Sequence, residues 1–217
     1  MSFIQSLVTH TGIVMAADHS STLLSTDGKI HLKVSDTKEK LYITPNNIGI
    51  SGGHQAFIKS IPIERYINNF LYSFDSEKLK TPKEVANSLL VFIRNIDPDA
   101  DIIFHVAGYE LADIPKPQLY EVVTRENLNN LVNKQEYIPS MAYACANNFP
   151  EIIFPFVANR LNDFSMQEAI EFTVLVIDVT RKIMELSGTG GGISKDIDVL
   201  AIYPNRHKWV NKMELHI

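Results

Sequence analysis

The sequence predicts an α+β protein: a four-layer αββα sandwich in which two mostly antiparallel sheets lie between helical layers. Three observations carry this. Segments of strand-like and helix-like apolar spacing come in blocks, ordered strands, two helices, strands, two helices, strands. At 217 residues, 45% hydrophobic and 21% charged, the chain suits one domain, residues 1–217, with a substantial core. No linker-like stretch and no internal repeat divides it.

Taken in order, the apolar runs Phe3–Val8 and Gly12–Ala17 flank Thr9-His10-Thr11 and predict a β-hairpin. His19–Asp36 is polar, with a turn signal at Asp27-Gly28 and a short strand within Lys29–Val34. Leu41–Thr44 and Ile48–Ser51 predict a second hairpin around Pro45-Asn46-Asn47. From His54 to Phe74 the spacing turns helical through Phe57, Ile61, Tyr66, Ile67, Phe70 and Leu71, with Pro62 imposing a bend or a late start. Thr81-Pro82-Lys83-Glu84 reads as an N-cap, a proline at the first helical position and a capping-box acid. That helix is expected to reach Asn95 and stop before Asp97-Pro98.

Strands are expected next over Asp101–Tyr109, Gln118–Thr124 and Ser140–Asn147, joined by loops at Leu111–Lys116 and Asn127–Glu136. A short helix around Glu151–Leu161 precedes a long one that opens at Ser165-Met-Gln-Glu168 and runs to Leu186. Its apolar positions cover most of its circumference, which predicts packing on both sides. Gly188–Gly192 ends it, and Ile197–Tyr203 and Lys208–Leu215 read as closing strands.

Composition narrows the function classes. A formal charge of −5, with no basic cluster or aromatic-plus-basic stripe, argues against a nucleic-acid partner. No apolar run reaches the roughly 18 residues of a spanning helix, and Phe3–Val8 is too short and lacks the basic flank of a signal peptide, so no membrane partner is expected. The lone Cys145 excludes an intramolecular disulfide framework and fits a reducing, cytoplasmic location. The histidines show no metal-ligand spacing, and His105, between Phe104 and Val106 in a strand, reads as a satisfied sheet residue.

The chemistry is concentrated near the start. Ser2 follows Met1, and removal of that methionine would give one residue both a hydroxyl and a free α-amine, a nucleophile with its own base. An α-amine of pKa roughly 8 titrates close to working pH. The spacing of Ser2 to Asp18, the string Gly12-Ile-Val-Met-Ala-Ala-Asp18, Thr22, and Lys40-Leu-Tyr-Ile leading to Gly52-Gly53 together resemble a proteasome β-type subunit or its HslV-like relatives, which are N-terminal nucleophile hydrolases. The resemblance spans nearly the whole chain and is sharpest over residues 2–53.

It implies a hydrolase of peptide or related small amide bonds, with Ser2 as nucleophile, Asp18 holding a lysine, Lys40 lowering the hydroxyl pKa, and the Gly52 N–H as oxyanion donor. It implies that Thr22, Ile50 and His54 line the substrate pocket, with Ile50 favouring apolar side chains. No metal or organic cofactor is implied. Self-assembly into homo-oligomeric rings is, while an ATPase partner is not specified by any motif. Lys33 is the second choice for the lysine, because the stretch from Asp18 to Lys40 is longer than usual for that family.

The sequence also departs from the pattern. Ser20 stands where an Arg is common, and Glu185-Leu-Ser187-Gly-Thr189-Gly190 replaces an Asp–x–x–Ser element, leaving Ser187 and Thr189 as alternative hydroxyls. The Ser of the preceding strand is replaced around Cys145-Ala146. Each site residue has a plainer role: Ser2 as an ordinary second residue, Asp18 as a turn former, Lys40 as a solvated lysine, Gly52-Gly53 as a strand-to-helix turn. The competing functional readings are a non-catalytic subunit that serves assembly, and a small-amide hydrolase working as a lone oligomer.

Overall fold

The computed structural model describes residues 3–24, 31–110, 112–125, 132–134, 140–144, 153–155, 157–187 and 192–212. The chain opens as expected with strands β1 (Ile4–Thr9) and β2 (Gly12–Asp18), paired antiparallel from Thr9↔Gly12 to Ile4↔Ala17. The polar stretch that follows holds two strands rather than one, β3 (Ser21–Leu24) and β4 (His31–Ser35). β5 (Leu41–Ile43) and β6 (Gly49–His54) form the second hairpin, whose turn carries Asn47 at φ 58°, a conformation asparagine tolerates.

Helical structure begins later than His54. Phe57 and Ile61 belong to a miniature hairpin, β7 (Phe57–Ile58) and β8 (Ile61–Pro62). Its two turn residues, Lys59 and Ser60, both have the positive φ that a two-residue type I′ turn needs. Over so short a run, apolar spacing does not separate strand from helix. α1 (Ile63–Tyr72) starts directly after Pro62, and α2 (Pro82–Ile96) carries the expected capping box between Thr81 and Glu84.

β9 (Ile102–Glu110) and β10 (Lys116–Val123) follow. β11 (Val132–Lys134) lies inside the stretch expected to be only loop, and β12 (Ser140–Ala144) follows it. Cys145–Asn147 and most of the glycine run at 188–192 fall outside the described residues, as does part of the expected helix at 151–161. α3 (Met166–Leu186) has its capping box at Ser165 and Glu168, and β13 (Ile197–Tyr203) and β14 (Arg206–Asn211) close the described chain.

The strands form two five-stranded sheets, ordered β12-β1-β2-β13-β14 and β11-β10-β9-β6-β5, with β3-β4 and β7-β8 as separate pairs. The architecture is therefore α+β. Three apolar clusters hold it. Ile67, Phe70, Val85 and Leu89 of the first two helices pack with Ile50, Phe104 and Val106. Ile4, Val8 and Met15 meet Leu41, Ala107 and Leu119. Phe3, Leu7 and Val14 pack with Phe172, Val176 and Ile177 of α3.

α3 corrects one expectation. Its buried positions Ala169, Phe172, Thr173, Val176, Ile177, Thr180 and Met184 follow the three-and-four spacing of a single face. Leu175 and Leu186, 55% and 88% exposed, lie outside that face. Among the described residues the helix is packed on one side.

His105 is fully buried in β9, with Nδ1 3.1 Å from Ser6 Oγ across the sheets and Nε2 without a hydrogen-bond partner among the described residues. It is half satisfied, not satisfied. Burial pushes its pKa down to about 3. Between the ordinary value of 6.5 and that depressed one, the unfolded chain binds a proton that the folded chain refuses. Stability is thus expected to fall as pH drops from 6.5, at up to about 1.4 kcal/mol per pH unit. Thermal melts of His105→Gln should show a flatter dependence over that window; an unchanged slope would contradict the assignment.

Candidate active site

Of the residues named from the sequence, Asp18 and Lys40 meet at the end of β2. Asp18, 1% exposed, is the last residue of that strand, and its carboxylate accepts four bonds. Oδ1 receives the Phe3 N–H at 2.8 Å and Lys40 Nζ at 2.5 Å. Oδ2 receives the Ser20 N–H at 2.9 Å, closing an Asx turn, and the Ser194 N–H at 3.0 Å. Asp18 is thus both a turn former and the partner of a buried lysine. The Asp18 N–H also donates to the Phe3 carbonyl at 3.1 Å, so both backbone groups of the residue after Ser2 are tied to Asp18.

Lys40 enters this site from just before β5, and only 6% of it is exposed. Burial pulls its ammonium below the ordinary lysine value, and the Asp18 carboxylate opposes that pull. Lys33 instead sits in β4 opposite Thr22. The geometry therefore selects Lys40.

Gly52 is placed differently from its expected turn. It lies within β6, directly opposite Phe104, and its N–H donates to the Lys40 carbonyl at 3.0 Å. A Cβ there would come within 2.9 Å of the Phe104 ring, so close approach of that ring calls for glycine. An oxyanion would have to compete with an existing bond for this N–H.

A recess beside Lys40 is lined by Gly52, Gly53, Ala56, Ile63 and the Lys38–Glu64 ion pair. Ile50 does not reach it: fully buried, it points with Phe104 into the cluster under α1 and α2. Strand alternation decides this, since Ile50 and Ser51 face opposite sides of β6. His54 is exposed, its Nδ1 3.0 Å from the Asp101 carbonyl, and it is not among the residues lining the recess. The side chain of Thr22, like Ser2 and Thr189, lies outside what the structure describes.

The support expected near Glu185 is also elsewhere. Glu185 pairs with Arg181 on α3, and Ser187 Oγ donates to the Met184 carbonyl at the helix end. Ser194 takes the position beside Asp18: its hydroxyl accepts the His19 N–H at 2.9 Å and donates to the Asp196 carbonyl at 2.7 Å. Next to it, His19 Nε2 lies 3.0 Å from Asp198 Oδ1, both side chains buried. Ser20 Oγ donates to Asp36 Oδ1 at 2.9 Å. Ser194 stands three residues before β13, and β13 pairs with β2 at Ile197↔Asp18. Only knowledge of that pairing could have found it.

Among the described residues no group of three His, Cys, Asp or Glu side chains could hold a metal ion, and no helix is long and apolar enough to cross a membrane.

No protein-family model and no curated protein matches the chain. Solved structures do, among them Anbu proteins, one of which is described as an ancestral beta-subunit. The Gly-1 mutant of Anbu from Hyphomicrobium sp. strain MC1 aligns with a TM-score of 0.68 at 16% identity, covering 97% of this chain and 87% of that one. Anbu from Yersinia bercovieri aligns with a TM-score of 0.65 at 13% identity, covering 98% and 88%. At these identities the likeness is one of fold. The assignment to proteasome β-type or HslV-like subunits is corrected accordingly: no family model supports it, and the fold this chain shares is that of Anbu.

Proposed function

We propose that this chain is an N-terminal serine hydrolase that cleaves peptide or related amide bonds through an acyl-enzyme. The observation that carries the reading is the buried Asp18–Lys40 pair, whose Asp18 Oδ1 also holds the N–H of Phe3, the residue immediately after Ser2. A lysine with only 6% exposure is costly to keep without a purpose, and buried charge partners concentrate at functional sites.

In this reading the chain is freed of whatever precedes Ser2. Ser2 Oγ attacks the carbonyl, forming the C–O bond, and the Ser2 amine takes the hydroxyl proton, directly or through a water. The amine returns a proton to the departing nitrogen, and water then hydrolyses the ester. One of the three Lys40 N–H hydrogens goes to Asp18. Its positive charge beside the nucleophile lowers the hydroxyl pKa and stabilises the oxyanion. Gly52 contributes a second donor only if the Lys40 carbonyl releases it.

The proposal further takes the three apolar clusters as the interfaces of a helix–sheet–sheet–helix stack, one domain over the 217 residues, self-assembling in the cytoplasm. The outward Leu175 and Leu186 of α3 support self-assembly, as does the likeness to an ancestral beta-subunit. A second reading, a non-catalytic assembly subunit, is favoured by one observation, the closed Gly52 N–H to Lys40 bond.

The Ser2→Ala variant separates the two. Hydrolysis of a fluorogenic peptide amide is expected to fall by at least about 10³-fold, with the melting temperature unchanged. Full activity in the variant would refute the nucleophile.

A further inference from the structure

We propose that the recess beside Lys40 selects an acyl group with a small, uncharged side chain, of alanine or serine size, next to the scissile bond. The proposal rests on the serine-hydrolase reading and deepens it.

The room that a water-sized sphere can occupy in the recess is about 10 Å³, roughly one such sphere, which suits a methyl or hydroxymethyl group better than a branched or aromatic one. One wall is glycine backbone at Gly52 and Gly53; another is Ala56 and Ile63.

The walls are braced from behind. The Ile63 N–H donates to the Ala56 carbonyl at 3.0 Å, fixing the start of α1 to the recess. The Gln55 side chain is tied at both ends, its Nε2 donating to the Phe57 carbonyl at 2.6 Å and its Oε1 accepting the Asp101 N–H at 2.7 Å. Lys38 Nζ lies 2.5 Å from Glu64 Oε1, 5.8 Å over the Phe57 ring, while the Lys38 N–H donates to the His19 carbonyl at 3.0 Å. Widening the recess means breaking that ion pair, whose side chains are only 22% and 21% exposed.

Charge argues the same way. The four charged residues that line the recess are each paired: Lys38 with Glu64, Lys40 with Asp18 and Glu39 with Lys212. An acidic or basic substrate side chain would have to lose water and displace one of them, without a free counter-charge in return.

The test uses peptidyl aminoalkyl diphenyl phosphonates with alanine, leucine, phenylalanine, glutamate or lysine side chains at the reacting position. Ser2 Oγ forms a P–O bond, one phenoxide leaves and takes up the proton as phenol, and intact mass reads the rate of adduct formation on the full chain. The alanine probe is expected to label at least about tenfold faster than the leucine and phenylalanine probes, in the range one pocket contributes to discrimination. The double variant Lys38→Ala, Glu64→Ala is expected to raise the leucine-to-alanine rate ratio about tenfold, a ratio that general loss of folded protein would not move. A leucine, phenylalanine or charged probe that labels as fast as alanine overturns the small-pocket inference alone. So does an unchanged ratio in the double variant, or silence from every peptidyl probe while a simple fluorophosphonate labels Ser2. Silence from the fluorophosphonate as well overturns the hydrolase reading and this inference with it.

Discussion

Replacing Lys40 with methionine is expected to slow acylation of Ser2 by about 10²–10³-fold, the usual effect of removing one well-aimed electrostatic group from a transition state. The same change leaves the Asp18 carboxylate buried without its cation, which costs about 3–5 kcal/mol of stability. The two effects are separable. Pairing Lys40→Met with Asp18→Asn removes both charges, so stability should recover in large part while acylation stays slow. Urea unfolding reads the first quantity and covalent labelling of Ser2 the second. A single Lys40→Met variant that labels at the parent rate would show that the ammonium has no part in the chemistry.

Asp18→Ala is expected to be the most destabilising single change in the site. Asp18 answers four donors, the Phe3, Ser20 and Ser194 N–H groups and Lys40 Nζ, and alanine leaves all four facing an empty acceptor. Breaking the buried pair alone costs about 3–5 kcal/mol, and each further orphaned N–H adds about 1–3 kcal/mol before the structure relaxes. Asp18→Asn is expected to lose less, because its amide keeps one oxygen for one side of the fork and turns an NH₂ toward the other. The urea midpoint should therefore fall in the order parent, Asn, Ala. An alanine variant with the parent midpoint would mean that the fork does not anchor β1.

Much of this was legible in the sequence where the cause is local. The capping boxes at Thr81–Glu84 and Ser165–Glu168 are self-contained signals, and the structure forms both. The β1–β2 hairpin and β13 follow apolar runs bounded by turn residues. What was hidden depends on pairing at a distance. β3 and β11 are short strands with little apolar signal of their own. The resemblance alone gave Ile50 to the pocket, and the sequence does not say which layer covers each face of its strand. The helix α3 reads as apolar over most of its circumference, and one side of it has no cover among the described residues.

The site divides in the same way. Asp18 closes a strand whose end the sequence marks, so its place was accessible. The choice between Lys40 and Lys33 was not, because the polar stretch between Asp18 and Lys40 obscures the count, and only the 2.5 Å contact decides it. Ser194 escaped notice because nothing near it in sequence relates it to Asp18; the β2–β13 register does.

The central claim is that Ser2 is the nucleophile and that the buried Lys40 ammonium assists it. It is tested most directly by incubating the native protein with a fluorophosphonate and reading intact mass and the modified residue. The account predicts one adduct per chain, on Ser2, formed at a rate that collapses in Lys40→Met. An adduct on another residue, or none on a chain whose Ser2 amine is free, would contradict it.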